Sequence, residues 1–194
     1  MANEFEYYRI HRKNDKDVPL LDEDTNCPTY LSLKAPVENP EMLLFRLGKP
    51  VPKKPIMADY HSTPKSVISK KIFDVLNPFN ISGIQLLPSK IRGKNDEIFT
   101  DYWAIHIYHI LKCVDVEQSN CSITFMLSNI KKIVLDRNIL KLIPLRERLV
   151  FRLKEDPAFQ LFHVSVVDSI MATNPTGIAF TNIEAWTDRT LFQN

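Results

Sequence analysis

Two of the chain's five histidines lie three residues apart, within the segment YWAIHIYHILKCVD at residues 102–115. His106 and His109 are followed by Cys113 and Asp115, and His, Cys and Asp are common ligands of zinc. If the segment were a helix, residues three apart would be neighbours, and the two imidazoles could bind one metal ion. The first question is therefore whether this segment forms a catalytic or structural metal site.

The residues around these histidines favour a strand. Trp103, Ile105 and Ile107 are aromatic or β-branched, and such residues prefer a pleated strand. Nothing in the segment caps a helix. Because side chains alternate between the two faces of a strand, His106 and His109 are predicted to point in opposite directions. The sequence therefore predicts structural, hydrogen-bonded histidines and no metal ligand.

The other reactive side chains form no recognised catalytic pattern. Cys113 and Cys121 are eight residues apart without a CxxC pair, which favours free buried thiols over a zinc site. The chain has no GxSxG elbow, no P-loop and no GxGxxG sequence. Asp96, Glu97 and Asp101 cluster beside a predicted hairpin loop, where solvated carboxylates are the expected state. We therefore predict no catalytic residue, no cofactor and no metal.

The composition predicts an ordinary soluble protein. Among 194 residues, 25 are basic and 23 acidic, so the net charge of +2 gives no field that would attract nucleic acid or an acidic membrane. Three widely spaced cysteines favour reduced thiols in a cytoplasm. No apolar signal segment and no membrane span is recognisable. We expect a cytoplasmic protein that binds neither nucleic acid nor membrane; the composition leaves its oligomeric state open.

Strand patterns outnumber helix patterns along the chain, and most connections between them are short. This indicates an α+β fold with a mostly antiparallel or mixed β-sheet and two main helices packed on it. The helices are predicted over residues 64–76, capped by Thr63, and over residues 165–173, capped by Ser165. A shorter helical turn is predicted to begin after Asp136.

The predicted strands are short runs rich in β-branched and aromatic residues. They cover residues 5–10, 30–33, 41–47, 83–88, 102–113, 122–127, 131–135, 148–153, 158–163 and 177–180. In the run RLVFRLKE, Leu149, Phe151 and Leu153 are predicted to form the one buried face, and Arg146 and Arg148 are interpreted as surface charges. We divide the chain into an N-terminal β-rich segment or small lobe at residues 1–47 and an α+β domain at residues 48–194.

The C-terminal half carries a specific order of motifs: RLVFRLKE, then LFH ahead of a helix, then PTGIAF, and finally EAW. This order resembles a bacterial family of immunity proteins from polymorphic toxin systems, immunity family eleven. PKKPIMADY and DYWAIHIYHILKCVD are similar to the central region of that family. The resemblance runs from about Gly48 to Trp186. Its motifs consist of core and turn residues, so they indicate a fold more than an activity.

What the resemblance implies is binding. Immunity proteins of this kind remain in the cytoplasm of the bacterium that produces the toxin and neutralise one cognate effector, such as one delivered by type VI secretion. Most of them cover the toxin's active site or another essential surface. The family gives no catalytic residue to carry over. We therefore predict a non-enzymatic immunity protein whose partner is a cognate protein toxin.

Two exposed charged loops are predicted to contact the toxin, because surface loops commonly carry binding residues. The predicted contact residues are Asp22, Glu23, Asp24, Arg92, Lys94, Asp96 and Glu97.

Two alternatives stay open. An enzyme that reverses the toxin's modification would use His163 with Glu155 or Asp156 as acid and base. The simpler prediction for His163 is a hydrogen bond to the start of the following helix or to a carboxylate. A general interaction adaptor would dock through the sequence PVPKKP at residues 50–55, for which a stiff connecting loop is the simpler interpretation.

Overall fold

The computed structural model describes residues 4–25, 27–28, 34–123 and 127–188. Within these ranges the chain forms two large sheets, a two-stranded ribbon and three α-helices. The predicted α+β fold with antiparallel and mixed sheets is confirmed. The strand predicted at residues 30–33 lies outside the described residues.

In chain order the strands are β1 (Tyr7–Arg12), β2 (Leu21–Glu23), β3 (Leu43–Leu47), β4 (Tyr60–His61), β5 (Val67–Ser69), β6 (Ile84–Arg92), β7 (Ile98–Ile107), β8 (Ile110–Leu111), β9 (Asn120–Ile123), β10 (Leu127–Lys132), β11 (Val150–Leu153), β12 (Gln160–His163) and β13 (Ile178–Asn182). The α-helices are α1 (Lys70–Leu76), α2 (Arg137–Lys141) and α3 (Val164–Met171). Single 3-10 turns cover Asn77–Phe79, Leu145–Glu147 and Ile183–Ala185.

The first large sheet has six strands in the order β2-β3-β6-β7-β5-β4. Its centre is the predicted hairpin of β6 and β7, whose turn lies at residues 93–97, whereas the sequence predicts the loop at residues 89–95. The pairing of β3 with β6 is parallel, and the other pairings are antiparallel. This sheet is therefore mixed, as the sequence predicts.

The second large sheet has five strands in the order β13-β1-β12-β11-β8. All its pairings are antiparallel except the short parallel contact between β8 and β11. Strand β1 lies between β12 and β13, while β2 and β3 belong to the six-stranded sheet. Of the strands described within residues 1–47, β1 pairs with later strands in the five-stranded sheet and β3 does so in the six-stranded sheet, while β2 pairs with β3.

Three apolar clusters form the core. One contains residues from both large sheets and from α1 and α3, one lies on the other side of the five-stranded sheet, and one belongs to the six-stranded sheet. Val150 lies in the first cluster and Phe151 in the second, and neither is exposed. Strand β11 is therefore buried on both faces here, and the prediction of a single buried face is wrong at Val150.

The predicted helix at residues 64–76 is correct only in its second half. Val67 and Ile68 form β5, which pairs with β4 on one side and with β7 on the other. These two side chains are fully buried. Because β-branched residues fit a pleated sheet, pairing with β7 outweighs the helical spacing of the apolar residues. Helix α1 begins only at Lys70, so Thr63 is not its cap.

The two other α-helices each begin directly after a residue whose side chain caps them. The Asp136 carboxylate accepts hydrogen bonds from the backbone N–H groups of Asn138 and Ile139, at 2.8 and 3.2 Å, so the predicted cap of α2 is confirmed. Helix α3 begins at Val164, and its cap is His163 in place of the predicted Ser165. The imidazole is suited to this position because one ring nitrogen can accept the hydrogen bond that a Ser or Asp cap normally accepts.

The segment at residues 102–113 is two strands in different sheets, which corrects the prediction of one strand. β7 ends at Ile107, and β8 begins at Ile110 and pairs with β11. Between them, the N–H groups of Tyr108 and His109 both donate to the carbonyl of Gly83, at 3.0 and 3.1 Å. A Cβ on Gly83, whose φ is +82°, would lie 2.2 Å from Cβ of His109. Only glycine allows this close crossing between the sheets.

Arg148 is buried, so its interpretation as a surface charge is wrong. Its side chain is 1% exposed. Nη1 donates to the Tyr7 hydroxyl at 2.7 Å and to the Glu4 carbonyl at 2.8 Å, while Nη2 forms a 2.6 Å ion pair with the Glu4 carboxylate. Nε donates to the carbonyl of Ile143 at 3.0 Å. One arginine thus binds the N-terminal segment to the chain just before β11.

Asp59, just before β4, forms a second buried polar centre. Its carboxylate accepts hydrogen bonds from the hydroxyl of Ser69 at 2.7 Å, the ammonium of Lys71 at 2.8 Å and the backbone N–H of Thr176 at 2.8 Å. Burial raises the pKa of Asp59, but these hydrogen bonds outweigh burial and the pKa lies below its ordinary value. The ionised carboxylate connects α1 to the turn before β13.

We predict that Gly177→Ala destabilises the protein by about 2 kcal/mol, measured as the free energy of unfolding in urea. Gly177 has a φ of +73°, and an added Cβ would lie 2.6 Å from Cβ of Ala58 and 2.9 Å from the carbonyl of Tyr60. Gly93→Ala is the control, since the nearest atoms to its Cβ all belong to the exposed side chain of Glu97. An equal loss in both variants would contradict the prediction.

Candidate functional site

The two predicted contact loops lie at the same end of the six-stranded sheet. In the strand register, Asp22 faces Arg46, and Arg46 faces Arg92. The turn after Arg92 carries Lys94, Asp96 and Glu97. We call the seven predicted residues the charged surface: Asp22, Glu23, Asp24, Arg92, Lys94, Asp96 and Glu97. The fold therefore joins two distant parts of the sequence in one region.

Several charges of this surface pair with one another. Arg92 Nη2 lies 2.8 Å from the Asp24 carboxylate, and Nη1 lies 3.9 Å from that of Asp96. The backbone N–H of Thr25 holds the pKa of Asp24 below its ordinary value. The N–H groups of Glu97 itself and of Asn95 do the same for the pKa of Glu97. These groups are therefore ionised at neutral pH and partly compensated within the surface.

An apolar side chain lies among these charges. Ile98 pairs with Arg92 in the β6–β7 register, and 51% of it is exposed. An apolar centre with a charged rim is the usual arrangement of a protein–protein contact surface. The exposed loop predicted at residues 22–24 is in part strand β2, in which Leu21 is completely buried, and the side chain of Asp24 is only 10% exposed. The charged surface is thus carried on a strand and a hairpin.

His106 and His109, in the segment at residues 102–115, lie on either side of the point where the chain passes from one sheet to the other. His106 is buried on β7, and its Nε2 lies 2.9 Å from the carbonyl of Ala35. His109 lies beyond the end of β7. In the ranges described, no three His, Cys, Asp or Glu side chains are close enough together to hold a metal ion. Burial raises the pKa of the Cys113 thiol, which keeps the thiol protonated.

His163 has the structural position predicted for it. Nδ1 accepts a hydrogen bond from the N–H of Ser165 at 3.2 Å, and Nε2 lies 3.2 Å from the Glu4 carbonyl. Because Nδ1 accepts, Nε2 carries the proton and donates to that carbonyl. Burial lowers the pKa of His163, so the imidazole is neutral at pH 7. The predicted hydrogen bond to the start of the helix is confirmed.

The acid–base pair of the enzyme alternative is not assembled. Glu155 accepts a 3.2 Å hydrogen bond from the N–H of Val114, and Asp156 accepts one of 3.0 Å from Ala158. Both carboxylates lie in the turn before β12, whereas His163 is the last residue of that strand. The fold therefore places the proposed acid and base at opposite ends of β12.

The proline-rich segment at residues 50–55 connects β3 to β4 without regular structure. Val51 packs against the apolar cluster of the six-stranded sheet, while Lys53 and Lys54 are exposed. This matches the interpretation as a connecting loop.

None of the helices in the described part of the chain has the length and apolar character of a membrane span.

A cleft that the sequence analysis missed lies beside β1, β4 and β12. It has a volume of about 500 Å³, and its lining includes Arg9, Arg12, Tyr60, Ser66 and Gln160. We call it the arginine cleft. A smaller cleft of about 130 Å³ adjoins it, shares Ser62, Ser66 and Gln160, and is lined by Lys65 and Arg152. Every charged side chain among the residues that line the two clefts is basic.

Arg9 is held by aromatic rings. Its guanidinium carbon lies 4.1 Å from the ring centroid of Phe159 and 4.5 Å from that of Trp186, which are cation–π distances. Arg12 is held by its backbone neighbours, since Nη2 donates to the carbonyls of Asp15 and Val18 at 2.7 and 2.6 Å. The two guanidinium groups are therefore fixed in position by contacts that leave other N–H groups unused.

Three buried guanidinium nitrogens have no hydrogen-bond acceptor among the described residues: Nη1 of Arg9, Nε of Arg12 and Nε of Arg152. Burial lowers the pKa of Arg9 and the pKa of Arg152, because a partly desolvated cation is less favourable. The sequence carries one signal for this cleft, namely two arginines in the strand YYRIHR, whose other residues are aromatic or apolar. The residues opposite them come from positions 60–66 and 160, and no local pattern indicates that proximity.

Comparison with known proteins identifies a family. The model of an immunity protein family (Imm11) matches residues 9–185. This range contains every strand and helix described above except the first two residues of β1. A search of curated proteins finds no match to the chain.

Proposed function

The chain belongs to the Imm11 immunity protein family, and from this premise we propose that it binds a cognate secreted toxin and neutralises it by covering a surface that the toxin needs. In this proposal the protein acts in the cytoplasm of the toxin-producing bacterium and has no enzymatic step. The toxin would belong to a polymorphic toxin system, such as one delivered by type VI secretion. The observation that carries the proposal is the family match over residues 9–185.

Features of the structure support a binding role. The most reactive side chains suggested by the sequence are used within the fold, because His163 caps α3 and Cys113 is buried with a raised pKa. The charged surface offers an exposed apolar residue, Ile98, among ionised groups. A stable complex buries about 1,200–2,000 Å² in total, which is more than one hairpin end supplies. We therefore propose the charged surface as one part of a larger contact area.

The test is co-expression with the toxin encoded beside this gene. We expect the full-length chain to restore growth of cells that produce the toxin and to co-purify with the toxin as a complex. An unrelated immunity protein of similar size serves as the control for expression burden. Unchanged killing, together with no co-purification, would exclude the proposed function.

Stoichiometry separates occlusion from the enzyme alternative. A protein that blocks by occupancy must be present in at least a one-to-one ratio, so residual toxin activity should fall linearly and reach zero near one equivalent. An enzyme that reverses the toxin's modification would protect at a small fraction of an equivalent. Titrating purified protein into the toxin reaction, with target modification as the readout, distinguishes these outcomes.

A further inference from the structure

We propose that the arginine cleft is an anchor site for a carboxylate side chain of the cognate toxin, held by the guanidinium groups of Arg9 and Arg12. This inference rests on the proposed function, because it assigns the chemistry of the toxin residue that the immunity protein recognises. It also assigns a polar contact to residues outside the charged surface that sequence reasoning selects.

The first observation is the unused hydrogen-bonding capacity of the cleft. Nη1 of Arg9 and Nε of Arg12 are buried and have no acceptor among the described residues, and Nε of Arg152 is in the same state in the adjoining cleft. Leaving a buried donor without an acceptor is unfavourable, and more so for a charged group. Both arginines line the cleft, so an oxyanion that enters it lies beside guanidinium groups that lack acceptors. Guanidinium groups bind carboxylates well because their planar N–H groups match the two oxygens.

The second observation is the charge of the lining. The chain as a whole has nearly equal numbers of acidic and basic residues, yet the described residues that line this cleft include arginines and no Asp or Glu. A cleft near α2 shows the ordinary arrangement, since Asp115, Asp136 and Glu184 line it together with Lys132 and Arg137. The lining itself therefore carries positive charge without a carboxylate. Asp156 and Asp188 favour the charge of Arg9 from outside the lining, and a ligand of negative charge would add to that compensation.

The third observation is that the cationic groups are already in place. The rings of Phe159 and Trp186 hold Arg9, and two backbone carbonyls hold Arg12. Ser66 donates to the side-chain oxygen of Gln160 at 2.9 Å, which orders the facing wall. Groups fixed before binding lose little conformational freedom on binding, and affinity rises accordingly. Arginine is also among the residues most often found as binding hot spots of protein interfaces.

The size of the cleft favours a side chain of a protein over a small free anion. Its volume is about 500 Å³, whereas one water molecule occupies about 30 Å³ of the liquid. An Asp or Glu side chain with its adjoining backbone fills such a space better than inorganic phosphate does. The occupant we propose is therefore an acidic residue on a protruding part of the toxin.

The experiment measures the affinity of the full-length chain for the purified cognate toxin domain by calorimetry. We expect the double variant Arg9→Gln/Arg12→Gln to bind about 100-fold more weakly than the unmodified chain. The control Arg137→Gln changes an exposed arginine of α2 and should bind within about threefold. Circular dichroism and thermal unfolding establish that each variant is folded. If the double variant is not folded, Arg12→Gln alone should still weaken binding about tenfold.

A double-mutant cycle identifies the partner carboxylate. Each Asp and Glu of the toxin is changed to Ala, and one such variant should lose affinity for the unmodified chain but lose nothing further against Arg9→Gln/Arg12→Gln. Ile98→Lys on the charged surface should add its effect independently. Affinity of the double variant equal to that of the unmodified chain would overturn the carboxylate site and leave the proposed function standing.

Two further outcomes are decisive. If the unmodified chain does not bind the toxin at all, both proposals fall. If 10 mM inorganic phosphate stabilises the unmodified chain but not the Arg9→Gln/Arg12→Gln variant, while both bind the toxin equally, the cleft is a site for a free anion and the proposed toxin contact is wrong.

Discussion

Arg148→Ala will lower the free energy of unfolding by about 3–5 kcal/mol, the usual loss when a large buried side chain is truncated to Ala. The substitution deletes the N–H groups that Arg148 donates to the hydroxyl of Tyr7 and to the carbonyls of Glu4 and Ile143, while the Glu4 carbonyl keeps Nε2 of His163 as a donor. It also leaves an empty space, because Arg148 is the largest of the fully buried side chains. Unfilled space and unbonded polar groups both destabilise the folded state.

The measurement is denaturant unfolding at pH 7, with Arg146→Ala as the matched control. Arg146 lies two residues away and its side chain is 82% exposed, so its removal should change stability by less than about 0.5 kcal/mol. Arg148→Met restores most of the volume without the donors and should fall between the two. A loss below about 1 kcal/mol for Arg148→Ala would show that the buried network is not what holds the N-terminal segment.

Asp59→Asn is expected to destabilise the protein by about 2–3 kcal/mol at pH 7, because hydrogen bonds to a charged group are stronger than neutral ones. The carboxylate accepts from Ser69, Lys71 and the backbone N–H of Thr176. An amide offers only one oxygen, and its NH₂ group would face a donor. The substitution therefore weakens the connection between α1 and the turn before β13.

The loss should depend on pH in a definite direction. The pKa of Asp59 is lower in the folded state than its ordinary value of about 3.9, so the unfolded chain binds the proton more readily. The stabilising effect is present above pH 4 and disappears as the pH falls through the folded-state pKa. The stability of the unmodified chain and of Asp59→Asn should therefore converge in acid. Asp74→Asn is the control, because Asp74 and Lys70 form an exposed pair that contributes little. A pH-independent difference would contradict the role given to the carboxylate.

Elements defined by local patterns could be predicted from the sequence. The β6–β7 hairpin, the Asp136 cap and the α+β class follow from alternation and capping residues that lie close together in the chain. Elements that depend on contacts between distant parts of the chain could not be predicted from the sequence. Val67 and Ile68 became a strand because β7, more than 30 residues away, offers a pairing edge. Likewise, the chain leaves one sheet for another after Ile107 because of the close contact at Gly83.

Charged residues were the hardest to interpret from the sequence. Arg146 and Arg148 look alike in the run RERLVF, yet one is exposed and the other is bonded to Glu4, 144 residues earlier. Arg9 and Arg12 were too weak a signal to identify a site, because the residues that complete the cleft come from β4, β12 and β13 and from the turn between β4 and β5. The charged surface was found because loop charges are visible in sequence. The structure shows that Arg92, at its centre, is already paired.

The position of β1 also determines when the five-stranded sheet can form during synthesis of the chain. β1 leaves the ribosome well before its neighbours β12 and β13, which follow about 150 and 170 residues later. At roughly 5–20 residues per second, this strand waits on the order of ten seconds for its partners. The five-stranded sheet and the arginine cleft are therefore complete only after β13 has been synthesised. Ribosomes that stall before residue 178 would yield products without that sheet's last strand, and such products should be substrates for proteolysis.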